Sequence, residues 1–227
     1  EPQPPAEEEQ PALEMQGLKA LKAQAQSANL VEAYQRIANG VENAAESVDL
    51  QGLQLTPDML NMVFNCYRND YPQHFWLKGN FQYSYRDNIV TALSPQYHLT
   101  GSQLATARAQ FDRAVNEVLG LVNSGMTAYE KELTIHDALL NRCQYQSGSY
   151  PHSAYGPLVE GKAVCEGYAR AFQYLMHRVG ISCMVVSGTG HGEAHAWNAV
   201  QIGKSWYYTD VTWDDPVGGD GTISYAY

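Results

Sequence analysis

The chain has 227 residues and a formal net charge of −10, with 44% hydrophobic and 17% charged residues. That balance describes a globular protein rather than a disordered one, and the charge argues against a nucleic-acid footprint or a surface built for anionic membranes. No apolar run approaches the roughly 20 residues that a bilayer-spanning helix needs.

The opening EPQPPAEEEQP reads as a solvated acidic spacer, left after trimming and suited to tethering. Residues 1–50 hold nine acids and three bases, so −6 of the charge sits there. Together with 16 tyrosines and few lysines, this tail points to an extracellular or cell-surface setting. From Leu13 to about Ala38 the apolar residues recur at helical spacing, and Asn39-Gly40 is expected to stop that helix. Thr56 and Pro57 mark the start of another helix, with Leu60, Val63, Phe64 and Tyr67 on one face. Aromatics alternate on either side of Arg86-Asp87-Asn88, which predicts a hairpin. His74, Phe75 and Trp76 just before it suit packing beneath that hairpin better than a pocket wall.

Gly101-Ser102 opens a long helix, expected to reach Gly125, and a second helix carries Tyr129 to Leu139. Both read as scaffold, with His136 an ordinary core or surface histidine. Residues 144–160 are rich in Ser, Gly, Pro and Tyr and read as a loop leading into Cys165, with His152 exposed on it. Residues 165–179 follow with Tyr168, Phe172, Leu175, Met176 and Val179 on one stripe, and Gly180 suits the position after the helix end.

Cys165 therefore falls at a helix N-terminus. Unpaired N–H groups and the positive end of the helix dipole favour a thiolate there and can hold an oxyanion. Cys183, inside ISCMVVS, reads instead as a buried structural cysteine. If Cys165 is kept free, three cysteines remain, which is unlike a disulfide framework; a single bridge such as Cys66–Cys143 stays open. The next strands, 194–202 and 205–211, flank Gly203-Lys204, a two-residue turn of the II′ kind. That register pairs Ile202 with Ser205 and makes His195 and Asp210 diagonal neighbours on one face, with Cβ atoms roughly 7 Å apart. A nucleophile, a base and an orienting acid are thus all available.

GKAVCEGYARAF, HAWNAV and YYTDVTWDDP resemble the bacterial transglutaminase-like superfamily, whose core is a papain-like Cys-His-Asp thiol fold. The resemblance implies Cys165 as nucleophile, His195 as base and Asp210 as orienting acid, on a secreted or cell-surface type. It implies an α+β fold: a helix carrying the cysteine, packed on an antiparallel sheet carrying His and Asp, with an N-terminal helical and hairpin lobe. The expected divisions are an acidic tail and helix start over 1–25, a helical lobe with the hairpin over 26–124, and a catalytic core over 125–227. That core ends at ISYAY, earlier than the family usually does, so it reads as truncated. No resemblance to the calcium sites of animal transglutaminases is seen, and no cofactor is expected.

The implied reaction is cysteine-dependent acyl transfer on an amide of a protein or peptide through a thioester, with peptidase or amide hydrolase preferred. Glutamine deamidation or crosslinking transamidation is the alternative, since only the acceptor differs. Tyr155, Trp197 and Trp213 are candidate substrate-binding residues, and Trp206 a fourth aromatic to consider. Two rivals lie outside this chemistry. A metal site on His191, Glu193 and His195 lacks the P-C-x-x-C partner that the H-x-E pattern requires. A non-catalytic surface-binding module would normally have lost one of the three residues, and all are present.

Overall fold

A computed structural model of the chain describes residues 10–214; most of the acidic spacer and the ISYAY terminus lie outside them. The elements in order are α1 (Gln16–Lys22), α2 (Ser27–Glu42), β1 (Val48–Asp49), α3 (Pro57–Asp70), β2 (Leu77–Arg86), β3 (Ile89–Tyr97), α4 (Gly101–Leu119), α5 (Ala128–Arg142), β4 (Gln144–Tyr145), β5 (Lys162–Ala163), α6 (Cys165–Arg178), β6 (Cys183–Gly190), β7 (Glu193–Ile202) and β8 (Ser205–Thr209). This is an α+β chain. Among the described residues, Glu14–Ala107 forms one compact unit, and residues 108–214 with 10–13 form the other. Among the described residues no helix is long and apolar enough to cross a membrane.

In the 14–107 unit the expected first helix is two. The chain turns at Gln26, whose φ of 59° is left-handed, and α1 is held separately because its first-turn amides are claimed from a distance. Asp70, at the end of α3, accepts from the Gly17 and Leu18 amides at 2.8 and 2.7 Å, and from the Tyr34 hydroxyl at 2.7 Å. Those amides lack partners inside any helix, so a buried carboxylate stands in for a cap. The expected stop at Asn39-Gly40 is also overrun. A Cβ on Gly40 would lie 2.4 Å from a methyl of Val48, so this glycine makes room for β1 instead of ending α2. The signals at Thr56 and Pro57 hold: the Thr56 side chain accepts from the Met59 amide at 3.3 Å. β2 and β3 pair antiparallel around Asp87-Asn88, both with positive φ as a type I′ turn requires. Phe75 and Trp76 are buried here.

In the unit from Arg108, α4 stops at Leu119, short of Gly125. Thr127 and Glu130 cap α5 reciprocally. The presumed loop 144–160 contains β4, parallel to β5, and a π-helical turn over Gly156–Glu160. Backbone pairing across 16 or more residues of sequence leaves no local periodicity, which is why these short strands were not expected. The sheet β6-β7-β8 is antiparallel throughout, and its β7–β8 register matches expectation from Ile202↔Ser205 to Asn198↔Thr209.

The apolar face of α6, led by Tyr168, Phe172, Leu175 and Met176, packs on β6 and β7. A Cβ on Gly167 would stand 2.3 Å from the Pro151 carbonyl oxygen, so only glycine lets the first turn sit this close to that loop. Deeper in the interface, Asn198 of β7 donates from Nδ2 to the carbonyls of Ala169 on α6 (2.9 Å) and Met184 on β6 (3.3 Å). This buried amide ties the helix that begins at Cys165 to the strand that carries His195. Removing it in Asn198→Ala is expected to cost about 1–3 kcal/mol of unfolding free energy in urea titrations. Asn198→Asp, isosteric but without the donors, should cost more, because it also buries a carboxyl facing two carbonyl oxygens. Two neutral variants would deny the clamp.

Candidate active site

Asp210 lies one residue beyond β8, in a turn over 210–214 rather than in a strand. The ladder ends at Asn198↔Thr209, so Asp210 falls outside the strand pairing that the expected register would have extended to it. The side chains still meet: His195 Nε2 and Asp210 Oδ2 are 2.7 Å apart. The other carboxylate oxygen, Oδ1, accepts from the Trp213 backbone amide at 3.2 Å, and the Asp214 amide closes the turn onto the Asp210 carbonyl at 3.1 Å. Both oxygens are thereby engaged and the carboxylate plane is fixed. With Nε2 on the carboxylate, Nδ1 is the ring nitrogen left for proton exchange.

The same turn lays the Trp213 indole on the imidazole, with centroids 4.3 Å apart and planes 9° from parallel. Trp197 stacks near it as well, at 5.8 Å and 23°. A cleft of about 460 Å³ is lined by His195, Trp213, His191, Glu193, Tyr145 and their neighbours. Tyr155 is elsewhere: only 7% exposed, it packs on Phe111 and Tyr150 and donates to Gln110 at 2.7 Å. Trp206 is part-exposed on β8 and does not line the cleft.

Cys165 is the first residue of α6, after Val164 in extended conformation, which offers no side-chain cap. Val164 is held by its amide bond to the Pro151 carbonyl at 3.1 Å. The Cys165 backbone amide faces the phenol oxygen of Tyr145, a residue of the cleft wall. Tyr145 and His195 line that cleft, while Cys165 and Asp210 are not among its lining residues. The other three thiols are set apart from this. Burial and the charge of Glu132 push the Cys183 thiol well up, and burial with Asp70 nearby raises that of Cys66. Cys143 is buried, and all four cysteines are free, so the Cys66–Cys143 bridge does not form.

Two further groups at this site were not legible in the sequence. Tyr145 sits in a stretch that reads as loop, and only its pairing beside β5 brings it to Cys165. His136 of α5 is buried, bonded to Asp214 through Nε2 at 3.2 Å and to Asp137 through Nδ1 at 3.1 Å. It thus anchors the far end of the turn that aims Asp210. Among the described residues, no cluster of His, Cys, Asp and Glu is arranged to hold a metal ion.

Residues 117–211 match the sequence model of the transglutaminase-like superfamily. Over 64 residues the chain is 34% identical to the Kyphoscoliosis peptidase of Homo sapiens, covering 23% of this chain and 10% of that protein. The Mus musculus Kyphoscoliosis peptidase is 33% identical over 78 residues, covering 29% and 12%. The chain therefore spans only about a tenth of the length of these curated relatives, 10% and 12%. A crystal structure of a TGase overlays with a TM-score of 0.43 at 12% identity, covering 64% of this chain and 47% of that one.

The His136 anchor carries a pH signature. Burial alone would lower its pKa, but its bonds to Asp214 and Asp137 and the charge of Glu132 outweigh this and raise it above the ordinary 6.5. A histidine that binds its proton more tightly when folded contributes stability that is fully present below the unfolded pKa and lost as pH rises through the folded one. The stability gap between wild type and His136→Gln in urea unfolding should therefore be widest near pH 5.5 and narrow toward pH 9. A gap that stays flat, or widens with pH, would contradict this.

Proposed function

Because residues 117–211 match the sequence model of the transglutaminase-like superfamily, we propose that this chain performs cysteine-dependent acyl transfer on an amide of a protein or peptide. Cys165 is the nucleophile, His195 its base, and Asp210 the group that orients the base. The observation that carries this is the 2.7 Å bond between His195 and Asp210 beside a cleft that His195 lines.

Nδ1 of His195 takes the proton from Sγ of Cys165, and Asp210 offsets the charge gained by the imidazole. The sulfur attacks the amide carbon; an S–C bond forms and the carbonyl pair moves onto oxygen. When that pair returns, the C–N bond breaks and the leaving nitrogen takes the proton from His195, leaving a thioester. Water then completes hydrolysis by the same base. Trp213 keeps the imidazole in plane and supplies an apolar wall for the substrate, while Trp197 packs near the ring without lining the cleft.

Hydrolysis is preferred over crosslinking because the cleft is open. Trp213 is 50% exposed, and His191 and Glu193 are exposed beside it, so water reaches the thioester unless something excludes it. The curated relatives are named peptidases, which agrees with this choice. An extracellular or cell-surface setting fits the acidic proline-rich opening of the sequence.

The deciding measurement incubates the protein with a glutamine-containing peptide, with and without a primary amine, and reads the products by mass. Backbone hydrolysis products are expected, and Cys165→Ala should abolish them. Asp210→Asn should lower kcat by roughly 10²- to 10⁴-fold. Amine incorporation would move the assignment to a transamidase, and a one-dalton gain to a deamidase. Product formation undiminished in Cys165→Ala would end the proposal.

A further inference from the structure

We infer that Glu193 sets the substrate preference of this site: its carboxylate selects peptides that carry an arginine or lysine side chain one or two residues from the amide that Cys165 attacks. This rests on the acyl-transfer role proposed above and gives a use to an acid that the three-residue scheme leaves out.

Strand register brings Glu193 to the cleft. β6 and β7 turn around His191-Gly192, with positive φ of 50° and 86°, and Gly190 pairs with Glu193 next to that turn. Glu193 and His195 are two apart on β7, so they share a face of the sheet, roughly 7 Å from each other along the strand. An extended peptide covers that distance in about two residues. A carboxylate fixed there meets a side chain near the reacting carbonyl rather than the carbonyl itself. Both Glu193 and His195 line the cleft of about 460 Å³.

The other walls suit a long cationic side chain. Among the described residues no Lys or Arg lines the cleft, and the carboxylate it presents is that of Glu193, which is exposed. Its charge is felt across the cleft: after burial and the nearby Cys165, it is a further cause of the raised pKa of the Tyr145 phenol. The phenol that faces Cys165 therefore lies within electrostatic reach of Glu193. Tyr145 and Trp213, 57% and 50% exposed, add aromatic surface beside that charge. A Cβ on Gly190 would stand 2.6 Å from the Trp213 indole, so the bare glycine lets the indole lie close against the hairpin whose second strand begins at Glu193. Lys and Arg bury their alkyl stems on such surface while the charged head reaches a carboxylate, and the rings attract the cation as well. An acidic side chain in the same place is repelled by Glu193 and gains nothing from the rings.

The test uses thiol-alkylating peptides, which read binding beside Cys165 whether or not an amide is cleaved. Three peptidyl iodoacetamides differ in a single residue, Arg, Met or Glu, placed two positions from the reactive carbon. Arginine is chosen because its guanidinium, unlike a lysine amine, is a poor acyl acceptor. Rates of Cys165 labelling are read by peptide mass on the full chain, with folding checked by thermal melting. The Arg peptide should label about 3- to 10-fold faster than the Met peptide, through a lower KI, and the Glu peptide should be slowest. That ratio should shrink in about 1 M NaCl, where the Debye length is about 3 Å. Glu193→Gln should bring the Arg and Met rates within about twofold, and Glu193→Lys should reverse their order relative to Glu. Glu46→Gln, which removes an equal charge from an exposed position in the 14–107 unit, should keep the wild-type ratio. Equal rates for the Arg and Glu peptides in wild type, or an Arg preference that persists in Glu193→Gln, would overturn the inference. Labelling of Cys165 no faster than of Cys66 with every peptide would overturn it too, because the cleft then does not serve that thiol. The same sequences with an ordinary amide separate the two readings. Arg-selective labelling without amide turnover leaves Glu193 as the selecting residue and ends the acyl-transfer proposal, whereas turnover without any Arg preference does the reverse.

Discussion

A single carboxylate, that of Asp210, sets the geometry on which the rest of the site depends. Oδ2 holds the imidazole of His195 at 2.7 Å and Oδ1 holds the Trp213 amide at 3.2 Å. The second bond makes the first directional, because a carboxylate free to rotate about its Cβ–Cγ bond would not present one oxygen steadily to the ring. It also brings the Trp213 indole flat onto the imidazole. Hydrogen bonds to charged groups are worth about 1.5–3 kcal/mol each. The turn therefore has energy enough to hold a conformation that no strand ladder imposes. His136, from a different helix, secures the last residue of that turn through Asp214.

The second requirement is that the helix carrying the thiol and the strand carrying the imidazole keep their relative positions. Apolar packing of α6 on β6 and β7 supplies most of the attraction, but such contacts tolerate sliding. Directional bonds do not. Asn198 bonds α6 and β6 at once, and His177 adds a bond from the helix end to the Cys183 carbonyl at 2.8 Å. The buried polar groups thus fix register, and the apolar groups contribute the area that makes the register stable.

The cleft itself is built of aromatic surfaces with few charges, and its chemistry follows from that. Indole rings flank the imidazole and hold it flat, while the carboxylate behind it faces a part-buried turn. Electrostatic interactions in such surroundings are stronger than in open water. Thiol selectivity follows the same logic of environment. Cys183 is 1% exposed and kept protonated by burial, whereas Cys165 is part-buried at a helix start, where backbone amides point outward. Four cysteines of one kind are thereby made unequal by place alone.

Much of this could be read from the chain itself. The cysteine at a helix start, the Gly203-Lys204 turn, the β7–β8 register and the pairing of His195 with Asp210 all follow from local patterns: helical periodicity, a two-residue loop and strand alternation. What the sequence could not give depends on groups remote in the chain. Asp70 splits the first predicted helix by drawing the amides of Gly17 and Leu18, and Gly40 makes room for Val48 instead of ending α2. Tyr155, expected among the substrate-binding residues, is packed in the core. Tyr145 borders the cleft because a two-residue parallel pairing carries it there. Periodicity reports which face of an element is buried, not which distant residue meets it. Local pattern thus picked out Cys165, His195 and Asp210, the proposed nucleophile, base and orienting acid, and the tertiary fold alone decided which side chains surround them.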